Sequence, residues 1–352
     1  MKRVLVSGAT GFVGWHVVQT LRGRGVEVVA LARGEASLPG ARVVRGDVRD
    51  RDAVRAAATG CDGAIHCAGR VSRDPADAEE MRDLHVVGTR AFLDGCEGAK
   101  VGRVVIASTS GVVAVSEDAD AVATEESETP YRLVNAWPYY RAKLWAEQEA
   151  LARSRDGLAV VAVNPSLVLG PGDARGSSTD DVRLFLERKI AAVPAGGVSY
   201  VDARDVAEAM VLALEKGRGG ERYLLGASNV TLRELFGRLE RVSGVKAPWA
   251  PLPREATKVA GVLVERLAAA LGREPNVDAE SLELARHYWY VDASKAEREL
   301  GWTPRDPVTT LADTVADLRA RGVVWPAAAD ATTHETNGAL RATSERATQG
   351  TA

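Results

Sequence analysis

The sequence predicts an α/β fold with a doubly wound parallel sheet, followed by a smaller C-terminal lobe. Three observations lead to this prediction. The chain opens with a β-branched apolar run, a glycine-rich turn and a helical pattern in immediate succession. Further short apolar runs follow, separated by segments with helical periodicity. The 352 residues, 46% of them hydrophobic, suffice for one large α/β domain or for a domain with a smaller lobe.

The first strand and turn read Val4-Leu5-Val6-Ser7-Gly8-Ala9-Thr10-Gly11-Phe12-Val13-Gly14. Gly8 permits a tight turn, Gly11 leaves room for a pyrophosphate against the backbone, and Gly14 lets the following helix pack close to the strand. Free N–H groups at the start of that helix attract phosphates. The spacing is G-x-x-G-x-x-G, so dinucleotide binding is predicted from the strand–turn–helix context and not from the glycines alone.

The second apolar strand, Val26–Ala32, should end beside the adenosine ribose of a bound dinucleotide. Arg33 follows the strand directly and would accommodate a 2′-phosphate, which favours NADP. Glu35 would accept the 2′-hydroxyl of NAD, so NAD stays open. The alternative for Arg33 is an ordinary solvated side chain.

The third and fourth strands are predicted at Val43–Val48 and Ala64–Gly69. Asp47 would face the adenine amino group, or would instead cap a helix over residues 50–58. The Ala68-Gly69 end lets a cofactor approach. His66 lies in an apolar run and is interpreted as a core residue. The polar residues 70–82 suit a loop over the entrance to the site.

The fifth strand, Val101–Ala107, runs into Ser108-Thr109-Ser110-Gly111. Hydroxyl groups at the carboxyl end of a strand bond a substrate oxygen in some proteins and cap turns in many others. Both interpretations stay open from this stretch alone.

The second informative stretch is Trp137-Pro138-Tyr139-Tyr140-Arg141-Ala142-Lys143. Pro138 suits the first turn of a helix, and Tyr139 and Lys143 then share one helix face. A free tyrosine has a pKa of about 10. An adjacent ammonium would lower it, which would make the pair a proton donor to a carbonyl or an acceptor from an alcohol. The alternative is an exposed helix face.

Taken together, these motifs resemble the extended short-chain dehydrogenase/reductase family, in particular its dihydroflavonol-4-reductase-like branch with the bacterial NAD-dependent epimerase/dehydratases. The resemblance also covers Asn164-Pro165-Ser166-Leu167-Val168-Leu169-Gly170 and Tyr200-Val201-Asp202-Ala203-Arg204-Asp205, and extends over about residues 2–322. It implies a Rossmann fold with a seven-stranded, mostly parallel sheet, a smaller C-terminal substrate lobe, and a homodimer.

The resemblance also implies roles for individual residues. Tyr139 would be the general acid/base, Lys143 would hold the nicotinamide ribose and tune Tyr139, and Thr109 would orient the substrate oxygen, with Ser108 and Ser110 as neighbouring candidates. His85 stands where relatives usually carry Asn. The implied cofactor contacts are Gly8, Thr10, Gly11, Phe12, Val13, Gly14, Arg33, Asp47, Val48, Cys67, Ala68, Gly69, Tyr139, Lys143, Pro165 and Val168.

The domain organisation predicted from these segments places the dinucleotide-binding domain at residues 1–165, with residues 200–212 and 220–228 returning to it. Residues 166–325 would form most of the substrate lobe, and residues 326–352 a disordered tail. Asp202 and Asp205 are expected to cap a helix at 206–216, and Thr231 with Glu234 forms a capping box.

Residues 255–271 carry an apolar stripe at helical spacing. We considered three roles for this predicted helix: a core helix of the lobe, a lid over an apolar substrate, or a contact with a membrane surface.

The composition limits which binding partners are expected. A net charge of −3 gives no general attraction to nucleic acid or acidic membranes, and the absence of an apolar run of about 18 residues argues against a membrane span. Cys61, Cys67 and Cys96 show no metal-ligand spacing, so no metal is expected and the thiols are read as reduced, in a cytoplasmic protein.

Three functional hypotheses follow. The first is an NADPH-dependent reductase of a ketone or aldehyde. The second is an NAD-dependent nucleotide-sugar epimerase or dehydratase with the same three catalytic residues. The sequence shows no clear arginine set for a sugar diphosphate, although Arg175, Arg183, Arg188 and Arg204 leave room for one. The third is a nucleotide-binding scaffold without turnover, against which the presence of Tyr139 and Lys143 argues.

Overall fold

The computed structural model describes residues 1–35, 37–156, 158–253 and 279–324. Within these ranges the strands are β1 (Arg3–Ser7), β2 (Glu27–Ala32), β3 (Ala41–Arg45), β4 (Gly63–His66), β5 (Arg103–Ala107), β6 (Val122–Ala123), β7 (Ala159–Pro165), β8 (Leu167–Leu169), β9 (Val193–Pro194), β10 (Gly197–Asp202), β11 (Arg222–Leu225), β12 (Ser228–Thr231), β13 (Pro251–Leu252) and β14 (Tyr288–Val291).

The α-helices in the same ranges are α1 (Phe12–Gly23), α2 (Arg51–Ala58), α3 (Ala78–Arg82), α4 (Gly88–Gly98), α5 (Tyr131–Val134), α6 (Pro138–Ala152), α7 (Asp180–Leu186), α8 (Ala203–Lys216), α9 (Leu232–Ser243), α10 (Ala279–Ala285), α11 (Ser294–Leu300) and α12 (Pro307–Ala320). A π-helical turn, Asp83–Val87, joins α3 to α4.

Seven of the described strands form one parallel sheet in the order β3-β2-β1-β4-β5-β7-β11. This confirms the predicted doubly wound sheet. The chain reverses its direction of travel across the sheet between β1 and β4. The crevice at such a reversal, outside the carboxyl ends of the strands, is where open α/β sheets bind ligands.

Apolar side chains cover both faces of this sheet. On one face α1 and α8 pack together, with Val17, Leu21 and Met210 all at most 1% exposed. On the other face α2, α4 and α6 contribute to a second cluster that includes the fully buried Val54 and Phe92. The sheet is therefore buried on both sides, as parallel sheets require.

A second sheet is formed largely by strands that come later in the chain. Its path is β12-β10-β14-β6, with β8 paired to β10, and only the β10–β12 pair is antiparallel. Helices α7, α9 and α12 pack beside it around a cluster in which the rings of Phe185 and Phe236 stack with centroids 5.5 Å apart. Residues 200–202 thus lie in the second sheet, whereas the helix that follows them packs on the first.

Some local predictions differ from the structure. β3 ends at Arg45, so Asp47 lies in the loop beyond it, and the cap of α2 is Asp50, whose side chain accepts from the N–H groups of Asp52 and Ala53. Asp202 caps α8 as expected, but Asp205 accepts hydrogen bonds from Arg305 instead.

The capping box at Thr231 is present. The residues with the apolar stripe, 255–271, and the tail, 326–352, lie outside the described residues. No helix in the described ranges is both long enough and apolar enough to span a membrane.

Candidate active site

The glycine turn between β1 and α1 fits a dinucleotide. Gly8 has φ +68°, and a Cβ there would lie 2.5 Å from the backbone nitrogen of Ala68. A Cβ on Gly14 would lie 2.1 Å from the carbonyl oxygen of Gly8. Helix α1 begins at Phe12 with no side-chain cap and no acidic residue in its first turn. Its first N–H groups therefore face the turn without a competing anion, as a pyrophosphate requires.

Charged side chains follow β2 and β3. Arg33 and Glu35 are both exposed after the end of β2. Arg49 donates from Nε and Nη2 to the two carboxylate oxygens of Asp47, at 3.0 and 2.8 Å. The hydrogen bond from Arg49 lowers the pKa of Asp47, and the charge of Arg33 adds to this effect. The positive charge of Arg33 therefore acts on the carboxylate of Asp47. Both residues follow strands at the edge of the sheet where the adenosine end of a dinucleotide would lie.

The segment after β4 lies between the glycine turn and helix α6, which carries Tyr139 and Lys143. The amide of Cys67 donates to the carbonyl of Ser7 at 3.1 Å, and its thiol contacts the sulfur of Met210 at 3.7 Å. Burial raises the pKa of Cys67 to about 12, so the thiol stays protonated. A Cβ on Gly69 would lie 2.8 Å from the ring of His85 and 3.7 Å from Nζ of Lys143.

His85 lies in the π-helical turn and is 2% exposed. Its Nε2 is 2.8 Å from the carbonyl oxygen of Arg70, and its ring meets that of Tyr139 edge-on, with centroids 5.6 Å apart. Burial holds the pKa of His85 well below its usual value. The neutral ring thus fixes both the loop after β4 and one side of Tyr139. π-Turns inside α-helices occur frequently at functional sites.

The three hydroxyls after β5 are placed differently. The hydroxyl of Ser108 donates to the carboxylate of the fully buried Glu147, so it points into the protein. Thr109 is half-buried and lines the main cavity, and its Oγ1 accepts from the amide of Gly111 at 3.3 Å. Ser110 also lines the cavity but is 3% exposed. Of the three, Thr109 has the most accessible side chain.

Tyr139 and Lys143 occupy the face of α6 that looks towards the end of β5. Nζ of Lys143 donates to the carbonyl oxygen of Ala107 at 2.7 Å, and burial lowers the pKa of Lys143 to about 8. The expected lowering of the tyrosine pKa is not found: burial raises the pKa of Tyr139 above its usual value. Desolvation of the phenolate is the main cause, and Tyr139 is held as a phenol.

Sequence reasoning missed the buried polar network beneath Thr109. Glu147 follows Lys143 by four residues, is 0% exposed, and accepts from Nδ2 of Asn164 at 2.6 Å. The same Nδ2 lies 3.0 Å from the carbonyl oxygen of Thr109. Nε of Arg222, on β11, contacts Glu147 Oε1 at 3.0 Å. The spacing of Tyr139, Lys143 and Glu147 on one helix face was a signal that could have revealed the acid.

A cavity of about 600 Å³ begins at this site and extends towards α7, α9 and β10. Of the predicted site residues, it brings together Thr109, Tyr139, Pro165 and Val168. The residues of the glycine turn do not line the cavity. Lys143 does not line it either, although it follows Tyr139 by one turn of α6. Val48 is 7% exposed and packs in the core of the main sheet.

Aromatic rings form one wall of the cavity. Tyr140 stacks on Trp289 with centroids 5.0 Å apart, and Trp137 lies 5.7 Å from Trp289. A Cβ on Gly111 would lie 2.2 Å from the ring of Tyr140, so the turn after Thr109 needs glycine to let this wall form. Within the part of the chain that the structure describes, no cluster of three His, Cys, Asp or Glu side chains could hold a metal ion.

Comparison with known proteins adds independent information. The model of the NAD dependent epimerase/dehydratase family matches residues 4–226. A putative dihydroflavonol 4-reductase from Synechocystis sp. is 35% identical over 332 residues, which cover 91% of this chain and 95% of the relative. Sterol demethylase protein B from Methylococcus capsulatus is 33% identical, covering 91% and 99%. The crystal structure of gox2253 matches with a TM-score of 0.80 at 30% identity, covering 92% and 100%.

Proposed function

The chain belongs to the NAD dependent epimerase/dehydratase family, and from this membership we propose that it is an NADP-dependent oxidoreductase that reduces a ketone or an aldehyde to an alcohol. When bound, the dinucleotide supplies hydride to the carbonyl carbon. The chain's own residues supply the site for the carbonyl oxygen and the proton that it takes up.

Tyr139 is the proton donor in this proposal. It lines the cavity, and burial keeps its hydroxyl protonated over the physiological range. The hydroxyl of Thr109 holds the carbonyl oxygen beside it. Lys143 donates to Ala107 and places its ammonium near Gly69, where it would bind ribose hydroxyls and stabilise the phenolate that forms when the proton leaves.

NADP is proposed because Arg33 follows β2 and contributes positive charge at the ribose end of the site. A 2′-phosphate carries negative charge that an arginine pairs well with. Glu35, two residues further on, is the feature that would favour NAD, and the cofactor titration below decides between the two.

The observation that favours a reductase over a nucleotide-sugar epimerase or dehydratase is the placement of the arginines. Arg183 pairs with Asp180 and Glu187, and Arg204 pairs with Asp202 and Asp313. Neither they nor the other two candidates, Arg175 and Arg188, are among the described residues that line the main cavity. A sugar diphosphate needs cations at its phosphates, and the two described ones that line the cavity, Arg73 and Lys189, already contact Asp181 and Glu187.

The names of two relatives support this choice. One relative is named a putative dihydroflavonol 4-reductase, and the other a sterol demethylase protein B. The first name specifies a reductase and the second a sterol, and neither names a nucleotide sugar. We also propose that the protein is cytoplasmic and that it forms a homodimer. Light scattering of the purified protein tests the dimer.

The first experiment is to denature the purified protein, identify any released nucleotide, and titrate fresh protein with NADPH and NADH. Protein without nucleotide that binds NADPH at least tenfold more tightly than NADH supports the proposal. Tight stoichiometric NAD contradicts it and favours the epimerase or dehydratase.

The second experiment removes single hydroxyls and follows NADPH oxidation over a panel of ketones and aldehydes. Tyr139→Phe should lower kcat by about 100-fold or more, the usual contribution of a positioned acid. Tyr140→Phe removes a neighbouring hydroxyl that also lines the cavity. A large loss in Tyr140→Phe with activity retained in Tyr139→Phe would show that the proton donor is misassigned.

A further inference from the structure

The cavity beside Tyr139 has an arm that no catalytic role uses. The arm lies between α7, α9 and β10 of the C-terminal lobe, and we call it the apolar arm. It is lined by Val182, Ile190, Val198, Leu235, Phe236 and Leu239. Leu235, Phe236 and Leu239 are at most 6% exposed, so these lining residues are shielded from bulk water.

The walls of the apolar arm belong to a buried hydrophobic cluster and not to a surface groove. Phe236 stacks on Phe185 with an interplanar angle of 7°, and the same cluster includes Leu239 and the fully buried Leu311 of α12. Apolar ligand groups that enter a cavity with rigid apolar walls leave water without the walls having to rearrange. Each such group therefore makes the free energy of binding more favourable.

The charged side chains that line the cavity sum to no net charge. Among the described lining residues they are Arg73, Asp181, Lys189 and Glu280, two cations and two anions. Nη2 of Arg73 contacts Oδ2 of Asp181 at 3.2 Å, and Nζ of Lys189 contacts Glu187 at 2.8 Å. Both cations therefore already have a carboxylate partner, which weakens the attraction of the cavity for a phosphate or a carboxylate.

The hydroxyls at the reacting end of the cavity are neutral. Thr109, Tyr139 and Tyr140 line the cavity there and are half-buried, so their hydroxyls are within its wall. A neutral oxygen on a substrate can form a hydrogen bond with such a hydroxyl.

We propose that the substrate is an uncharged, predominantly apolar ketone or alcohol, a fused-ring or long-chain compound whose hydrocarbon body fills the apolar arm while its reacting oxygen lies at Thr109 and Tyr139. The cavity of about 600 Å³ is in the range that encloses most of a drug-sized molecule. The inference rests on the proposed reductase function for the reaction, but the apolar arm predicts binding whether or not turnover follows.

The test is a series of methyl ketones from butan-2-one to tridecan-2-one, with UDP-glucose as a charged comparison. Binding is measured by displacement of the neutral fluorophore N-phenyl-1-naphthylamine, and turnover by oxidation of NADPH. Affinity should rise with chain length by up to about fourfold for each methylene that enters the arm. UDP-glucose should not displace the probe at the concentrations at which the long ketones do.

Two variants locate the effect. Val198→Asp places a carboxylate in the apolar arm at a half-buried position, and should remove the dependence of affinity on chain length. Val122→Asp makes the same change at a side chain that is 48% exposed on β6, outside the cavity, and should preserve the dependence. Ile190→Asp, also half-buried in the arm, replaces Val198→Asp if that variant does not fold.

The outcomes separate the two proposals. Affinity that does not change with chain length, UDP-glucose that binds more tightly than the longest ketone, or equal behaviour of Val198→Asp and Val122→Asp overturns the inference. Chain-length-dependent binding without NADPH oxidation supports the apolar substrate and rejects the reductase function. NADPH oxidation that does not depend on chain length supports the reductase and rejects the apolar substrate.

Discussion

Glu147 is the residue whose removal should reveal how the turn that carries Thr109 is held in place. It is fully buried under Thr109, pairs with Arg222, which is 18% exposed, and accepts hydrogen bonds from Ser108 and Asn164. Removing one partner of a buried ion pair costs about 3–5 kcal/mol, because the other charge is left without compensation. Since Arg222 keeps some contact with water, we expect Glu147→Gln to lower the free energy of unfolding by about 3 kcal/mol.

The same helix provides a matched control. Glu149 pairs with Arg90, but these side chains are 32% and 51% exposed. Such a surface pair contributes about 0–1 kcal/mol, so Glu149→Gln should change the free energy of unfolding by less than about 1 kcal/mol. Urea denaturation of both variants, followed by tryptophan fluorescence, measures the difference.

A double-mutant cycle makes the test sharper. Glu147→Gln and Arg222→Gln together remove both charges, so their combined loss should be clearly smaller than the sum of the two single losses. Losses that simply add, or a Glu147→Gln variant as stable as Glu149→Gln, would refute the reasoning from the buried pair.

Three further predictions concern the rest of the site. Gly14→Ala should abolish dinucleotide binding in a titration, because its Cβ would lie 2.1 Å from a backbone carbonyl oxygen, whereas Gly23→Ala in the same helix meets nothing within 4 Å and should bind normally. Arg33→Ser should raise the Kd of NADPH by about tenfold or more and leave that of NADH unchanged, with the exposed Arg42→Ser as its control; an equal effect on both cofactors would contradict the NADP assignment. Burial lowers the pKa of His66 to about 3, so between pH 6.5 and 3 the unfolded chain binds one proton more than the folded chain. The free energy of unfolding therefore falls as the pH falls, by up to about 1.4 kcal/mol per pH unit. His66→Gln should make this slope shallower by that amount, and an unchanged slope in urea titrations would contradict the assignment.

The order of strands and helices around the dinucleotide turn could be predicted from the sequence because each element carries its own periodicity. The end of β3 could not. β3 pairs with β2, and the last pair is Ala32 with Arg45, so the strand stops where its partner stops. Apolar residues beyond that point, such as Val48, join the core without being part of the strand.

Part of the candidate site could likewise be predicted from the sequence, and part could not. Local spacing was enough to place Tyr139 and Lys143 on one helix face. The direction of the shift in the tyrosine pKa was not predictable, because burial by other parts of the chain decides it. The ion-pair partner of Glu147 could not be predicted either, because Arg222 is on a strand far along the sequence that carries no motif of its own.

That distant strand has a consequence for synthesis of the protein. Arg222 is on β11, which the chain adds to the edge of the main sheet only after it has built β8 and β10 of the second sheet. A nascent chain that ends before β11 already contains Tyr139, Lys143 and Glu147, but it lacks the cation that neutralises the buried carboxylate. A fragment made of the first 165 residues would therefore lack the cation that compensates Glu147 beneath Thr109.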